Sequence, residues 1–227
     1  MKHRVAFIHT SPAAIPPLAD YYRKNAAELE ITNLLDDGIL RLFSRESMKA
    51  AETRLEDLLT AARDAYDSRL ALLTCSAVSK GMVRRLASSI RLPLVKIDDV
   101  LARKAVASGS RLGVLVTFPP TRPATEKLLR DTASEQGRQL ELTFRVVPEA
   151  YEALLGGDAE RHDELALAAI EEMANLPLDA VVLAQVSMAR LLPKLPPTEM
   201  PVLSSLPASL EAIRGELGRL KTPATLR

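Results

Sequence analysis

The feature that most constrains this chain is an alternation run through twice. Apolar runs at 5–8, 30–35, 70–74 and 94–97 are separated by helix-length stretches, and a second set at 111–117, 140–147, 180–184 and 202–204 comes after with similar spacing. Several of these runs are continuously apolar, the pattern of strands covered on both faces. Residues 47–65 place Met48, Ala51, Leu55, Leu58, Leu59 and Ala62 at helical spacing. Further helices are predicted over 121–136, entered through a Thr before a Pro and left at Gly137, and over 159–176, capped by Asp158. Strands alternating with helices predict a parallel α/β sheet.

The two sets share more than their order. Thr10-Ser11-Pro12 comes after the first run, and Thr117-Phe118-Pro119 after the fifth, 107 residues later. Thr74-Cys75 closes the third run and Ala184-Gln185 the seventh, with Gln185 lying 110 residues after Cys75. The predicted fold is therefore α/β with two similar Rossmann-like half-domains, 1–97 and 98–205, each with a roughly four-stranded, mainly parallel sheet. A cleft is expected between them. A last helical stretch, 206–227 with its clearest pattern over 208–220, is expected to pack back on the first half and tie the halves together. Ligands of open parallel sheets bind beyond the carboxyl ends of the strands. The polar residues at those ends are His9, Thr10, Cys75, Ser76, Thr117, Gln185 and Ser187.

Composition narrows the chemistry. The chain has 227 residues, 47% of them hydrophobic, so it can bury a core. Its 30 Lys+Arg against 29 Asp+Glu leave no basic excess for nucleic acid or an anionic membrane. No run approaches the ~20 apolar residues of a membrane span, and the first apolar run is too short for a signal-peptide core. A cytoplasmic location is expected. Cys75 is the single cysteine, so the fold rests on neither an internal disulfide nor a Cys-rich zinc site. Motifs for a dinucleotide or nucleoside triphosphate are missing, as are HExxH and GxSxG. No cofactor and no metal are expected, and the composition leaves a small-molecule enzyme or binding protein.

Cys75 ends an apolar run, and a helix is predicted from Ser76 or Ser79. A thiol at the positive end of a helix is shifted toward the reactive thiolate. The competing reading is a small buried hydrophobe. In Val116-Thr117-Phe118-Pro119-Pro120-Thr121, two hydroxyls and the N–H groups of a helix start can hold a carboxylate; Thr121 as an ordinary N-cap is the simpler alternative. Gln185 offers an amide but no acid or base, and Ser187 reads equally as a cap on the next helix. Gly157-Asp158 with His162-Asp163 looks catalytic, yet the acidic groups crowd the first turns of one helix and read as a capped helix start rather than a metal site.

Taken in order, these pieces resemble the aspartate/glutamate/hydantoin racemase superfamily, which also includes maleate isomerases and arylmalonate decarboxylases. They are His9-Thr10, Leu73-Thr74-Cys75-Ser76, Arg111 to Thr117 with Pro120-Thr121, Gly157-Asp158 with His162-Asp163, and Leu183 to Met188. The resemblance implies cofactor-independent chemistry at the carbon next to a carboxylate, with a small carboxylate or carbonyl compound as substrate, and it suggests a homodimer. Racemases of this kind use two cysteines, one per half, on opposite sides of the substrate carbon. Cys75 matches the first. Ser76, Thr117 and Thr121 match positions that hold the substrate carboxylate, with His9, Thr10, Gln185 and Ser187 lining the pocket. The departure is Gln185, which stands where the second cysteine would be. A symmetric two-thiol racemase is thereby excluded. A single-cysteine racemase or isomerase is the expectation; a malonate-type decarboxylase and a non-catalytic carboxylate-binding protein are the alternatives.

Overall fold

The computed structural model describes residues 2–45, 47–195, 197 and 199–221. All eight expected strands are present: β1 (His3–His9), β2 (Leu29–Leu35), β3 (Leu70–Leu73), β4 (Leu94–Lys96), β5 (Arg111–Val116), β6 (Glu141–Val146), β7 (Ala180–Leu183) and β8 (Val202–Leu203). The helices are α1 (Ile15–Asn25), α2 (Gly38–Ser44), α3 (Met48–Asp64), α4 (Lys80–Ile90), α5 (Ile97–Ser108), α6 (Arg122–Glu135), α7 (Pro148–Leu155), α8 (Ala159–Ala174) and α9 (Ser205–Lys221). The expected last stretch runs past α9, and its residues 222–227 lie outside those described. Among the described residues, no helix is long and apolar enough to cross a membrane.

Two wholly parallel sheets form, ordered β2-β1-β3-β4 and β6-β5-β7-β8. The identical order is the duplication that the spacing predicted. By internal contacts, the described residues through Ile97 form one compact unit with those of α9 from Ser209, and the described residues between Asp98 and Ala208 form the other.

In the first unit, alternate residues of the inner strands face opposite ways. Ala6, Ile8, Ala71 and Leu73 join a cluster with Ala51, Leu55, Leu59 and Ala62 of α3 and Met82, Leu86 and Ile90 of α4. Phe7 packs edge-on against Tyr22 of α1, with ring centroids 4.8 Å apart. The Tyr22 hydroxyl lies 2.8 Å from Ser209 Oγ of α9 in a buried contact. Arg214 of α9 donates to Glu28 Oε1 (2.7 Å) and Asn25 O (2.8 Å). In the second unit, Leu115, Val181 and Leu183 face Ala166, Ile170 and Met173 of α8. Leu112, Val114, Val116, Ala180 and Val182 face α5 and Leu129 of α6. Gly113 allows α8 its close approach, since a Cβ there would lie 2.5 Å from Met173 Cε.

Asp179 locks the entry of β5. Its Oδ2 accepts from Ser110 N and Arg111 N, each at 2.8 Å, and its Oδ1 from Arg111 Nη2 at 2.8 Å. The Arg111 side chain, then the two backbone N–H groups, hold this carboxyl down to about 2. A carboxylate with a depressed folded pKa stabilises above its unfolded value of ~3.9, and that contribution is lost as pH falls through the folded value. Asp179→Asn is therefore expected to lower the urea midpoint at pH 7 and to leave a shallower loss of stability between about pH 4 and 2. Urea titrations at pH 7 and across the acid range measure it; an acid limb identical to wild type would contradict it.

Candidate functional site

Matching hydrogen bonds make the two halves equivalent residue by residue. Thr74 N–H donates to Ile8 O, and Ala184 N–H donates to Leu115 O, both at 3.1 Å. Asp36 N–H donates to His9 O (3.1 Å), and Val147 N–H to Val116 O (2.9 Å). Ile8 thus corresponds to Leu115, His9 to Val116, and Thr74 to Ala184. One step further along each strand, Thr10 corresponds to Thr117 and Cys75 to Gln185. The equivalence inferred from spacing is the equivalence of the backbone ladders.

Cys75 leaves β3 with its residue 4% exposed, inside the cluster that includes Val78, Met82 and Leu86. The next residues, Ser76 and Ala77, are exposed, so the thiol sits where the apolar core gives way to a polar turn. The helix expected beside it starts later. Ser79 is the N-cap, its Oγ accepting from Met82 N at 3.2 Å, and α4 begins at Lys80. A helix's field acts mainly within its first turn, so proximity to α4 along the chain does not activate Cys75.

His9 is fully buried and spoken for on both sides. Nδ1 lies 3.0 Å from Thr74 Oγ1, and Nε2 lies 3.0 Å from the Asn33 carboxamide. Thr74 Oγ1 donates its own proton to Ile8 O (3.1 Å), so it accepts from His9 Nδ1–H. Burial lowers the His9 pKa against the opposing Asn33 bond. On the other side, Nε2 faces Asn33 Oδ1, so both ring nitrogens are engaged by side chains of the neighbouring strands. A ring held this way by both neighbouring strands is a structural element of the strand end. Within its own unit the side chain is not exposed. Thr10 beside it is also buried.

In the second unit Thr117 and Gln185 meet, as partners of each other. Thr117 N–H (2.9 Å) and Oγ1 (3.3 Å) both donate to Gln185 Oε1. This leaves the Gln185 Nε2 amide as a donor with no partner among the described residues. Thr121 does not cap α6 with its side chain; its Oγ1 donates to Phe118 O at 2.7 Å. The hydroxyl proton expected for a carboxylate is committed to the turn. Ser187 is half-buried in a 3-10 stretch (Val186–Lys194) rather than capping an α-helix.

Three further features lie outside the sequence expectations. A cavity of about 320 Å³ opens where β2 ends, lined by Asp36, Gly38, Arg41, Leu42, Arg45 and Arg54. Arg54 is tied to Asp36, with Nε 2.8 Å from Oδ2. The guanidiniums of Arg41 and Arg45 have no ion-pair partner among the described residues. Three guanidiniums against one carboxylate make this a place for an anion. The three arginines are scattered over 41–54, and no spacing rule gathers them. Lys96, ending β4, is also buried, and a lysine inside an apolar run was the available signal. Finally, Asp158 caps α8 as expected, accepting from Arg161 N at 2.9 Å. His162 and Asp163, next to this cap, turn inward and are buried. Among the described residues no His, Cys, Asp and Glu group has the arrangement to hold a metal ion.

The family model for Asp/Glu/hydantoin racemase matches residues 2–213. The chain belongs to this family. Among solved structures it is similar to an aspartate racemase homologue from Pyrococcus horikoshii, at 17% identity and a TM-score of 0.69, covering 96% of this chain and 100% of that one. It is similar to an allantoin racemase from Klebsiella pneumoniae, at 17% identity and a TM-score of 0.68, covering 96% and 88%. The maleate isomerase of Pseudomonas putida gives 17% identity and a TM-score of 0.61, covering 96% and 94%. No curated protein matches the sequence. Family membership places the chain among racemase- and isomerase-type enzymes.

Proposed function

We propose that this member of the family moves a proton at the carbon next to a carboxylate of a small acid, without a cofactor, using Cys75 as its one thiol. The observation that carries the reading is the backbone equivalence of Cys75 with Gln185. Where a two-thiol exchange needs a cysteine in each half, this chain has a thiol in one and an amide in the other.

The Cys75 thiolate accepts the α-proton, and the C–H electron pair passes into the carboxylate to give an enediolate. The protonated thiol then returns a proton to the same face. Hydrogen-bond donors aimed at the carboxylate stabilise the charge that develops on its oxygens. Gln185 Nε2 has the chemistry to donate to an oxyanion but cannot take or give a proton near neutral pH. Racemases, isomerases and decarboxylases differ in what the intermediate does next. With one thiol, net inversion needs a second donor, such as water, on the other face.

The cavity beside β2 supports an acid carrying a second anionic group, held by Arg41 and Arg45. Arg41→Ala with Arg45→Ala is expected to raise KM for a dicarboxylate about tenfold or more, while changing KM for a monocarboxylate little, because a lost charge-assisted bond costs ~1.5–3 kcal/mol. The defining assay follows optical rotation, cis–trans conversion and carbon dioxide release for a panel of aspartate, glutamate, hydantoins, maleate and substituted malonates, with chelator present. Conversion of one class supports an enzyme. Melting shifts by these acids with no turnover would turn the reading to a binding protein.

A further inference from the structure

The two halves diverge immediately after their matched positions. Beyond Cys75 lie a turn and the capped α-helix α4. Beyond Gln185 lies a 3-10 stretch, Val186–Lys194, with Pro193 inside it. Nine residues are long for a 3-10 helix, whose hydrogen bonds are poorly aligned and which rarely persists past 3–4 residues. Such a segment needs to be held from outside. Met188 and Leu191 hold one side, both fully buried in the cluster that contains the apolar face of α8.

The other hold is Asp163. Its carboxylate is 3% exposed and gathers three groups. Lys194 Nζ donates to Oδ2 at 2.7 Å, and His162 Nδ1–H donates to Oδ1 at 2.8 Å. Arg190 Nε lies 2.8 Å from Oδ1, a charge contact rather than an aligned hydrogen bond. Burying an acid is costly unless it is paired. Here both cationic partners come from one segment, four residues apart, and both keep about a third or more of their surface in water. Burial pushes the Asp163 carboxyl up, and the bonds from Lys194 and His162 with the Arg190 charge outweigh it, so the group stays ionised below its ordinary range.

We propose that Asp163 is a positioning residue: by pinning Arg190 and Lys194 it holds 186–194, and through that segment it fixes the Gln185 carboxamide that accepts from Thr117 N–H. Its consequence for ligand binding rests on the reading of Gln185 given above; the mechanical coupling does not.

Amide hydrogen exchange of the full chain measures it directly, because Thr117 N–H is protected by Gln185 Oε1. Gln185→Ala sets the scale by exposing that amide. Asp163→Asn is expected to speed exchange at Thr117 about tenfold or more, with Val114 and Leu115 changing by less than about threefold. Asp163→Glu is expected to restore most of the protection, since the partly exposed Arg190 and Lys194 side chains can follow a longer carboxylate. Should Asp163→Asn not fold, Arg190→Gln with Lys194→Gln releases the same segment from its exposed end, with the same exchange pattern expected. Thr117 protection left intact, or a uniform loss along β5, overturns the proposal. Cys75→Ser, which probes the thiol, leaves this readout unchanged, so the two readings fail separately.

Discussion

Cys75→Ser is expected to lose turnover by about a thousandfold or more while remaining folded. General acid–base contributions of a single group run to ~10²–10⁴, and a serine hydroxyl at this place can neither hold a negative charge nor accept a carbon-bound proton near neutral pH. The substitution alters shape by little, so a large effect on rate cannot be charged to packing. The site does impose a stability cost: Cys75 lies in an apolar cluster with Val78, Met82 and Leu86, and burying an unsatisfied hydroxyl costs ~1–3 kcal/mol. Cys75→Ala separates the two roles. If Cys75 is only a small core residue, Cys75→Ala and Cys75→Ser keep full turnover on a confirmed substrate and show the loss in melting temperature alone. If it is the proton-transferring group, both lose turnover together.

The second large effect is structural. Phe7→Ala is expected to cost about 3–5 kcal/mol, the range for removing a fully buried aromatic, and to lower the melting temperature on the order of 10 °C. Phe7 is 1% exposed in the central part of the first sheet. Its ring meets Tyr22 at 4.8 Å and His9 at 6.3 Å, both edge-on. Its loss therefore opens a cavity and loosens the contact through which α1 reaches Ser209 of α9. Calorimetry measures the shift; a change below about 1 kcal/mol would mean that this face of the sheet repacks freely, against the close packing seen there.

How far the sequence reveals this protein depends on the range of the interactions involved. Strands such as β3 (Leu70–Leu73) and β7 (Ala180–Leu183) are legible because inner strands of a parallel sheet are apolar on both faces. The apolar runs extend one residue past them, to Thr74 and Ala184, since pairing stops where the neighbouring ladder stops. The Cys75–Gln185 equivalence is legible because a duplicated chain keeps its spacing. The role of His9 is hidden for a reason visible in the sheet order. β1 lies between β2 and β3, so a ring at its end is reached by Asn33 from one side and Thr74 from the other. Neither partner is near His9 in the chain. The arginine cavity depends likewise on how α2 and α3 pack, and the inward turn of Asp163 depends on cations 27 and 31 residues further on. Local pattern shows where an element runs; it does not show which polar groups will meet.

The most direct measurement of the central claim is solvent deuterium entry at the α-carbon of a converted acid, compared with inversion at that carbon, followed by NMR and chiral separation in deuterated water without added cofactor. A single thiol working from one face predicts that deuterium enters with configuration retained, faster than inversion, and that Cys75→Ser abolishes this entry. Inversion keeping pace with exchange from both enantiomers, or conversion with no dependence on Cys75, would contradict the account.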